Sequence, residues 1–399
     1  MRKNKLYSTY NQLIKTKHYS LRRAFACIGA CLLLSLASLS LVSQEQLPRA
    51  DLWEPVTKIN FDQFEVGYGW GFLWAHRETI QSLPERPAQN LEISWLRSLW
   101  TKGWHRLYRN PKIGLSYAFL QTGNASILGN GHSLSGLIKV PIWNHPVHGI
   151  DYQVRFGYGY LSKIFHPQEN YNNLASGSHH TIFLRFSLQY RLQVHPNGQL
   201  GTGLSFHHFS NASWARPNLG LNFLTWDLML AYGKSPVKLS SSRQRSIQTD
   251  PYWEMSVING SGIKEIDPAG GRKYVTNSTI LNWERRINAK YQWGFGFDGF
   301  FDGSLHDLMR NRDIPTEGWT DYWRLGAHVS YGIFFGKVMF NLQLGHYIVE
   351  NYNDDTSLFN RIALRYYFHP NWLAHFGLKA HFGRADFLEL GLGYAIPFR

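Results

Sequence analysis

The chain has 399 residues, of which 16% are aromatic, 36 are glycine and only 17% are charged. That mixture is low in charge for a water-soluble protein and rich in strand-forming and interface side chains. The net charge of +14 is not gathered into basic tracts or a recognisable module, which argues against a nucleic-acid partner.

Residues 1–43 read as a secretory signal peptide. Seven Lys and Arg (Arg2, Lys3, Lys5, Lys15, Lys17, Arg22, Arg23) precede an apolar run from Ala24 to Val42, with Ser43 as a small residue at the cut. The rival reading is an uncleaved anchor, because the apolar run is long for a signal core. Ile28-Gly29-Ala30-Cys31 loosely resembles a lipoprotein cleavage box, but the most apolar stretch follows Cys31 instead of preceding it. Cleavage would remove both cysteines, Cys27 and Cys31, and with them any disulfide or thiolate chemistry. It would leave 34 basic against 27 acidic residues, a net charge of +7 that suits an anionic lipid surface.

Beyond the leader the recurring signal is alternation. Phe64, Val66, Tyr68, Trp70, Phe72 and Trp74 interleave with Glu65 and three glycines. The same period runs through 113–119, 152–160, 182–192, 293–297, 338–344 and 362–368, and closes the chain at 388–398. Each run has an apolar, aromatic-tipped face and a face of Gly, Ser, Gln and Arg. That is the pattern of a transmembrane antiparallel β-barrel, since an open sheet edge in hydrocarbon would strand its backbone groups. A soluble sandwich is the weaker reading, because it rarely keeps aromatics at both strand ends.

Counting runs predicts about 14 strands (12–16), with 91–99 and 253–259 the least regular, in one barrel over residues 44–399. Loops are expected at 162–177, 234–250, 260–272 and 301–321, with no linker dividing two domains. Arg185, Arg191, Arg361 and Arg365 fall on polar faces and are expected to line the lumen. The last strand resembles the C-terminal assembly signal of outer-membrane proteins, implying the outer-membrane assembly machinery as a partner. It departs mildly in that Phe398 is penultimate and Arg399 last.

Two neighbouring runs carry polar residues at the end of their apolar faces. Thr202, Leu204, Phe206, His208 and Ser210 share one face; Asn222, Leu224, Trp226, Leu228, Leu230 and Tyr232 share a face of the next arm. Residues opposite each other across an antiparallel hairpin lie on the same side of the sheet, so His208, Ser210 and Asn222 are expected to converge. A serine hydroxyl is a poor nucleophile until an imidazole takes its proton, and the imidazole needs a partner to fix its tautomer. The Asn222 carbonyl oxygen suits that task, but being neutral it gives an imidazolium no charge stabilisation.

His-x-Ser-Asn, a short turn, then Pro-Asn-x-Gly resembles the signature of the lipid A 3-O-deacylase (PagL) family, also called acyloxyacyl hydrolases. The resemblance covers about 15 residues, within an extended motif region at 204–232. It implies an outer-membrane β-barrel that cleaves an ester-linked 3-hydroxyacyl chain from the lipid A of lipopolysaccharide. It implies His208 as base, Ser210 as nucleophile and Asn211 as a group that helps hold the oxyanion, with Ser213 beside it at the oxyanion or substrate. Where the family has a glutamate to orient the histidine, this chain has Asn222. Asp227 is the nearest acid downstream, but strand parity puts it on the opposite face.

Counted from Phe64, the His208 strand is about the seventh and runs outward, which puts the turn at 211–218 at the outer leaflet. Arg216 and Lys234 are then expected near lipid phosphates. The chemistry requires no cofactor and no metal. His179-His180 and His207-His208 are adjacent strand residues that point to opposite faces, and Asn351-Tyr352-Asn353-Asp354-Asp355 lacks calcium-loop spacing. The rival reading is a porin or structural barrel with a vestigial motif, which arginines on polar faces and strands beyond eight would favour. Acyl position, chain-length preference and oligomeric state are not written in the sequence.

Overall fold

The computed structural model describes residues 62–75, 77–99, 103–233, 250–352 and 356–398. The leader with its two cysteines, and Lys234, lie outside the described residues.

The alternating runs become strands of 10 to 16 residues. In the first half these are β1 (Gln63–Leu73), β2 (Ala88–Ser98), β3 (Lys112–Gln121), β4 (Asn130–Asn144), β5 (His148–Leu161), β6 (His180–His195), β7 (Gly198–Ser210) and β8 (Leu221–Gly233). In the second half they are β9 (Tyr252–Glu265), β10 (Lys273–Arg286), β11 (Tyr291–Asp302), β12 (Trp323–Phe335), β13 (Val338–Val349), β14 (Leu358–Tyr367), β15 (Trp372–His381) and β16 (Arg384–Phe398). The all-β barrel reading holds, and the count of sixteen sits at the top of the expected range.

The expectation of a single barrel does not hold. β1 pairs with β8, from Gln63 opposite Gly233 to Leu73 opposite Phe223, and closes one cylinder; β9 to β16 close a second. Alternation reports which way side chains face but not which strand completes the ring, so one ring of sixteen and two rings of eight give the same pattern. The connection between the cylinders falls largely within 234–249, outside the described residues. The irregular stretches 91–99 and 253–259 both lie largely in strands, and 260–265, expected as loop, continues β9.

An eight-stranded ring is just wide enough for side chains to fill it. In the first barrel the inward positions carry Lys139 against Glu65 (2.8 Å), Arg155 against Glu92 (2.6 Å), and Arg185 between Glu92 and Asp227 (2.6 Å to the latter). In the second, Arg361 joins Asp298 (2.8 Å) and Glu389 (2.5 Å), and Arg365 meets Glu284 (3.1 Å). All four arginines expected to face inward do so and are buried. Outside, Leu204 is 67% exposed and Trp70 53%, so the apolar face belongs to lipid. No helix among the described residues is long and apolar enough to cross a membrane; strands do the crossing.

The longest connection of each barrel, 162–179 in the first and 303–322 in the second, lies at the same end as the turn between β7 and β8, here the loop end. At the loop end of the first barrel Phe183, Phe209, Leu221 and Phe223 point inward. With Ile80, Leu83 and Leu128 from the loops above, they form an apolar cap. The two barrels belong to one compact unit and meet at three levels. At the turn end the Tyr108 hydroxyl donates to the Phe334 carbonyl (2.7 Å). At mid-height Phe156 packs edge-on against Phe376 (5.2 Å). The third contact, at the loop end, involves the turn between β7 and β8.

Replacing Arg185 by Leu would leave the buried carboxylates of Glu92 and Asp227 short of a partner. Removing one member of a buried charge pair costs about 3–5 kcal/mol. Arg185→Leu is therefore expected to lower the free energy of unfolding of the purified protein by that order, read as an earlier denaturant midpoint by loss of heat-modifiable migration on gels.

Candidate active site

The hairpin of β7 and β8 is anchored by alternation. His207 and Phe209 point inward, where the His207 ring bonds the Thr225 hydroxyl (2.9 Å) and Phe209 packs on Phe183 (4.9 Å between ring centres). That pins the register at which His208 stands opposite Asn222 and faces outward with Ser210. The three residues expected to share a face therefore do so. Asp227 points inward, as parity required, and pairs with Arg185.

His208 Nδ1 lies 2.6 Å from Asn222 Oδ1. A carbonyl oxygen only accepts, so Nδ1 carries the hydrogen and the basic lone pair is at Nε2. A Cβ placed on Gly220 would sit 3.1 Å from His208 Cε1 and 3.8 Å from Ser210 Cβ, so both side chains border one small space. The His208 ring also lies nearly parallel to Phe206 (11°), whose edge contacts Trp74.

The Ser210 hydroxyl donates to Asn218 Oδ1 (3.2 Å) and accepts the Ala212 N–H (3.2 Å). Asn218 Oδ1 also accepts the Asn211 N–H (2.9 Å). Asn218 is thus a polar partner of the serine to which the sequence reading gave no role, although it stands in the Pro-Asn-x-Gly element. The Asn211 side chain is buried, with its Nδ2 toward Ser176 Oγ (3.4 Å), so its contribution to this space is its backbone N–H. Ser213 is brought elsewhere: its hydroxyl donates to the Ala385 carbonyl of the second barrel (2.8 Å).

Ala212 and Ser213 both have left-handed backbones (φ 50° and 68°), unusual for residues with a Cβ and a strain that the surroundings must hold. On one side Gly177 N–H donates to the Pro217 carbonyl and Gly220 N–H to the Ala175 carbonyl (2.6 and 2.9 Å), from the β5–β6 loop. On the other, Glu265 N–H donates to the Ser213 carbonyl (2.9 Å) and Lys273 Nζ to the Trp214 carbonyl (2.7 Å). Arg216, expected near lipid phosphates, makes a two-pronged pair with Asp267 (3.1 and 2.7 Å), which holds the Asp267 carboxyl below its ordinary range.

Below His208 the outward residues Trp70, Phe72, Leu204, Phe206, Leu224 and Trp226 line an apolar hollow of about 1020 Å³. Register makes it continuous, since Leu224 stands opposite both Phe72 and Phe206, and Trp226 opposite Trp70 and Leu204. Among the described residues no group of His, Cys, Asp and Glu is arranged to hold a metal. His179 and His180 turn apart, one to the Leu161 carbonyl and the other to the Tyr158 hydroxyl (both 2.6 Å).

Two family models match the chain, one within each barrel, the first running from β2 to β8 and leaving out β1. Residues 89–232 match "Lipid A 3-O-deacylase (PagL)" and residues 253–398 match "Acyloxyacyl hydrolase, C-terminal domain". The chain belongs to the PagL/acyloxyacyl hydrolase family. Like other outer-membrane members of the PagL family it is a barrel protein of that membrane. Among solved structures, "Crystal structure of the outer membrane enzyme PagL" is 16% identical, covering 41% of this chain and 97% of that one, with a TM-score of 0.29. The Acinetobacter baumannii outer membrane protein Omp33 is 9% identical over 84% of this chain and 98% of its own, TM-score 0.15. A Rh. blastica porin mutant is 8% identical over 84% and 99%, TM-score 0.17. No curated protein matches.

In the second barrel the equivalent strand, β15, contains no serine, and the His-x-Ser of β12, His328 and Ser330, is buried in the lumen and does not face lipid.

Gly220 has φ of +74°, and a Cβ there would press on His208 Cε1 and the Phe209 carbonyl, both at 3.1 Å. Gly220→Ala is expected to cost about 1–2 kcal/mol from the left-handed backbone alone. A shift of the His208 ring resonances by NMR in micelles would accompany the lowered unfolding midpoint.

Proposed function

We propose that this PagL-family protein is an outer-membrane esterase that removes an ester-linked 3-hydroxyacyl chain from lipid A by acyl transfer through Ser210 to water. The observation that carries the reading is the lipid-facing His208, oriented by Asn222 at 2.6 Å and sharing its space with Ser210. Polar groups at a lipid-facing position are costly unless they have a partner or a purpose.

In the proposed reaction Ser210 Oγ attacks the ester carbonyl while His208 Nε2 takes its proton. The developing oxyanion is met by the backbone N–H groups of Asn211 and Ala212, which in the resting site are held by Asn218 Oδ1 and Ser210 Oγ. Collapse breaks the bond to the sugar oxygen, which receives the proton from His208, and leaves the acyl group on Ser210. Water, deprotonated by the same imidazole, then releases a fatty acid and restores the serine. The hollow lined by Leu204, Phe206, Leu224 and Trp226 lies where the departing acyl chain would run.

The pore reading receives little support. Both lumens are filled by buried ion pairs, and eight-stranded rings have no room left for an aqueous path. The decisive experiment is mass spectrometry of lipid A from cells carrying the chain, lacking it, or carrying Ser210→Ala. Loss of one 3-hydroxyacyl group that requires Ser210 is expected. Unaltered lipid A together with single-channel conductance would sink the proposal.

Asn222 fixes the tautomer but gives the imidazolium no charge partner. In the serine-protease triad, Asn in place of Asp costs roughly 10⁴ in rate, part of it through the wrong tautomer. Here the tautomer is already right, so Asn222→Glu is expected to raise kcat by about ten-fold or more. A carboxylate beside the ring raises the pKa of the base, so the acid limb of the pH–rate profile should move to higher pH. An unchanged profile would show that residue 222 does not act through His208.

A further inference from the structure

We propose that the second barrel, whose seventh strand β15 carries no serine to match Ser210, is a clamp that positions the catalytic turn of the first. This rests on the reading of Ser210 as nucleophile. The turn leaves β7 at Ser210 and passes at once through two left-handed residues, Ala212 and Ser213, whose Cβ atoms disfavour that backbone. Its hold on the oxyanion donors depends on keeping that path, because the Asn211 and Ala212 N–H groups lie at its start. Every residue from Ser213 to Arg216 except Ala215 is gripped by the rim of the second barrel. Ser213 is held at both its carbonyl and its hydroxyl, by Glu265 N–H and the Ala385 carbonyl. Trp214 is held by Lys273, and Arg216 by Asp267.

The rim is itself braced for this. The Glu265 carboxylate, almost fully buried, accepts the Gly270 N–H and an ion pair from Lys273, so the residues that touch Ser213 and Trp214 also hold each other. Ala385 stands just past the β15–β16 turn, where the register shifts between Lys379 and Ala380, a bulge of the kind that re-aims a strand end. None of these groups touches the space between His208 and Ser210. They are positioning residues: they act on the reaction through the backbone that carries Ser210, Asn211 and Ala212.

The test uses the full chain in detergent micelles with purified lipopolysaccharide, comparing Asp267→Arg, Arg216→Asp and the double exchange. Two quantities are read: kcat and KM for deacylation, and the rate of chymotryptic cutting after Trp214. Each single variant, setting like charges face to face, is expected to lower kcat by about ten-fold with KM nearly unchanged. Each should also speed cutting at Trp214 several-fold, while heat-modifiable migration shows both barrels still closed. The double exchange restores the pair in reverse and should recover both quantities. Cutting that speeds up while kcat stays at the wild-type value would overturn the clamp, as would single variants that change neither quantity. If the wild-type protein shows no Ser210-dependent deacylation, the chemical reading fails instead. Cutting at Trp214 then still decides whether the second barrel holds the turn.

Discussion

Hydrocarbon offers no partner to a backbone amide, so every strand of this protein must find one on each side, and closing at eight strands is how it does so. Once the ring is that narrow, its interior has to be made of side chains. Burying a lone charge would be ruinous, so Arg155, Arg185, Arg361 and Arg365 each meet a carboxylate from another strand. The filled lumen fixes strand register from within, and register decides which residues emerge on the lipid side. Arg185 holding Asp227 inward belongs to the same arrangement that turns His208, Ser210 and Asn222 outward.

The candidate site is therefore a surface feature with a rigid backing. Phe209, between the two reactive residues, is locked into the apolar cap, and Phe223 beside Asn222 is locked there too. Above that backing the chain turns through strained residues, where precision must come from outside the hairpin. The surface ion pair of Arg216 with Asp267 contributes at most about 1 kcal/mol to stability, which is the ordinary worth of an exposed pair. Its significance lies in direction: with Glu265, Lys273 and Ala385 it determines where the turn lies, not whether the barrels fold.

Much of this was legible in the residues. Parity alone put Arg185, Arg191, Arg361 and Arg365 inside, set Asp227 apart from Asn222 and brought His208, Ser210 and Asn222 to one face, because a side-chain period of two has no other solution. Ring closure was not legible, since the partner that completes a cylinder leaves no mark on alternation. Nor was the environment of the turn. Asn218 reaches Ser210 only through the fold of residues 211–220, and Ser213 is claimed by a carbonyl 172 positions away. Long-range contacts of loops are set by how two bodies meet, and neither composition nor spacing encodes that meeting.

The pairing of β1 with β8, and not with β16, bears on how the molecule assembles. A single ring would have to bring together segments more than 300 residues apart, whereas here the farthest partners, Gln63 and Gly233, span about half that distance. The entropy saved by halving such a span is only about 0.6 kcal/mol, so chain statistics hardly favour two rings over one. What the arrangement changes is order in time. The first cylinder has all its hydrogen-bonding partners before β9 is required, so it can seal while the rest of the chain is still waiting to insert. The second closes in the same way on its own strands, with none borrowed from the first.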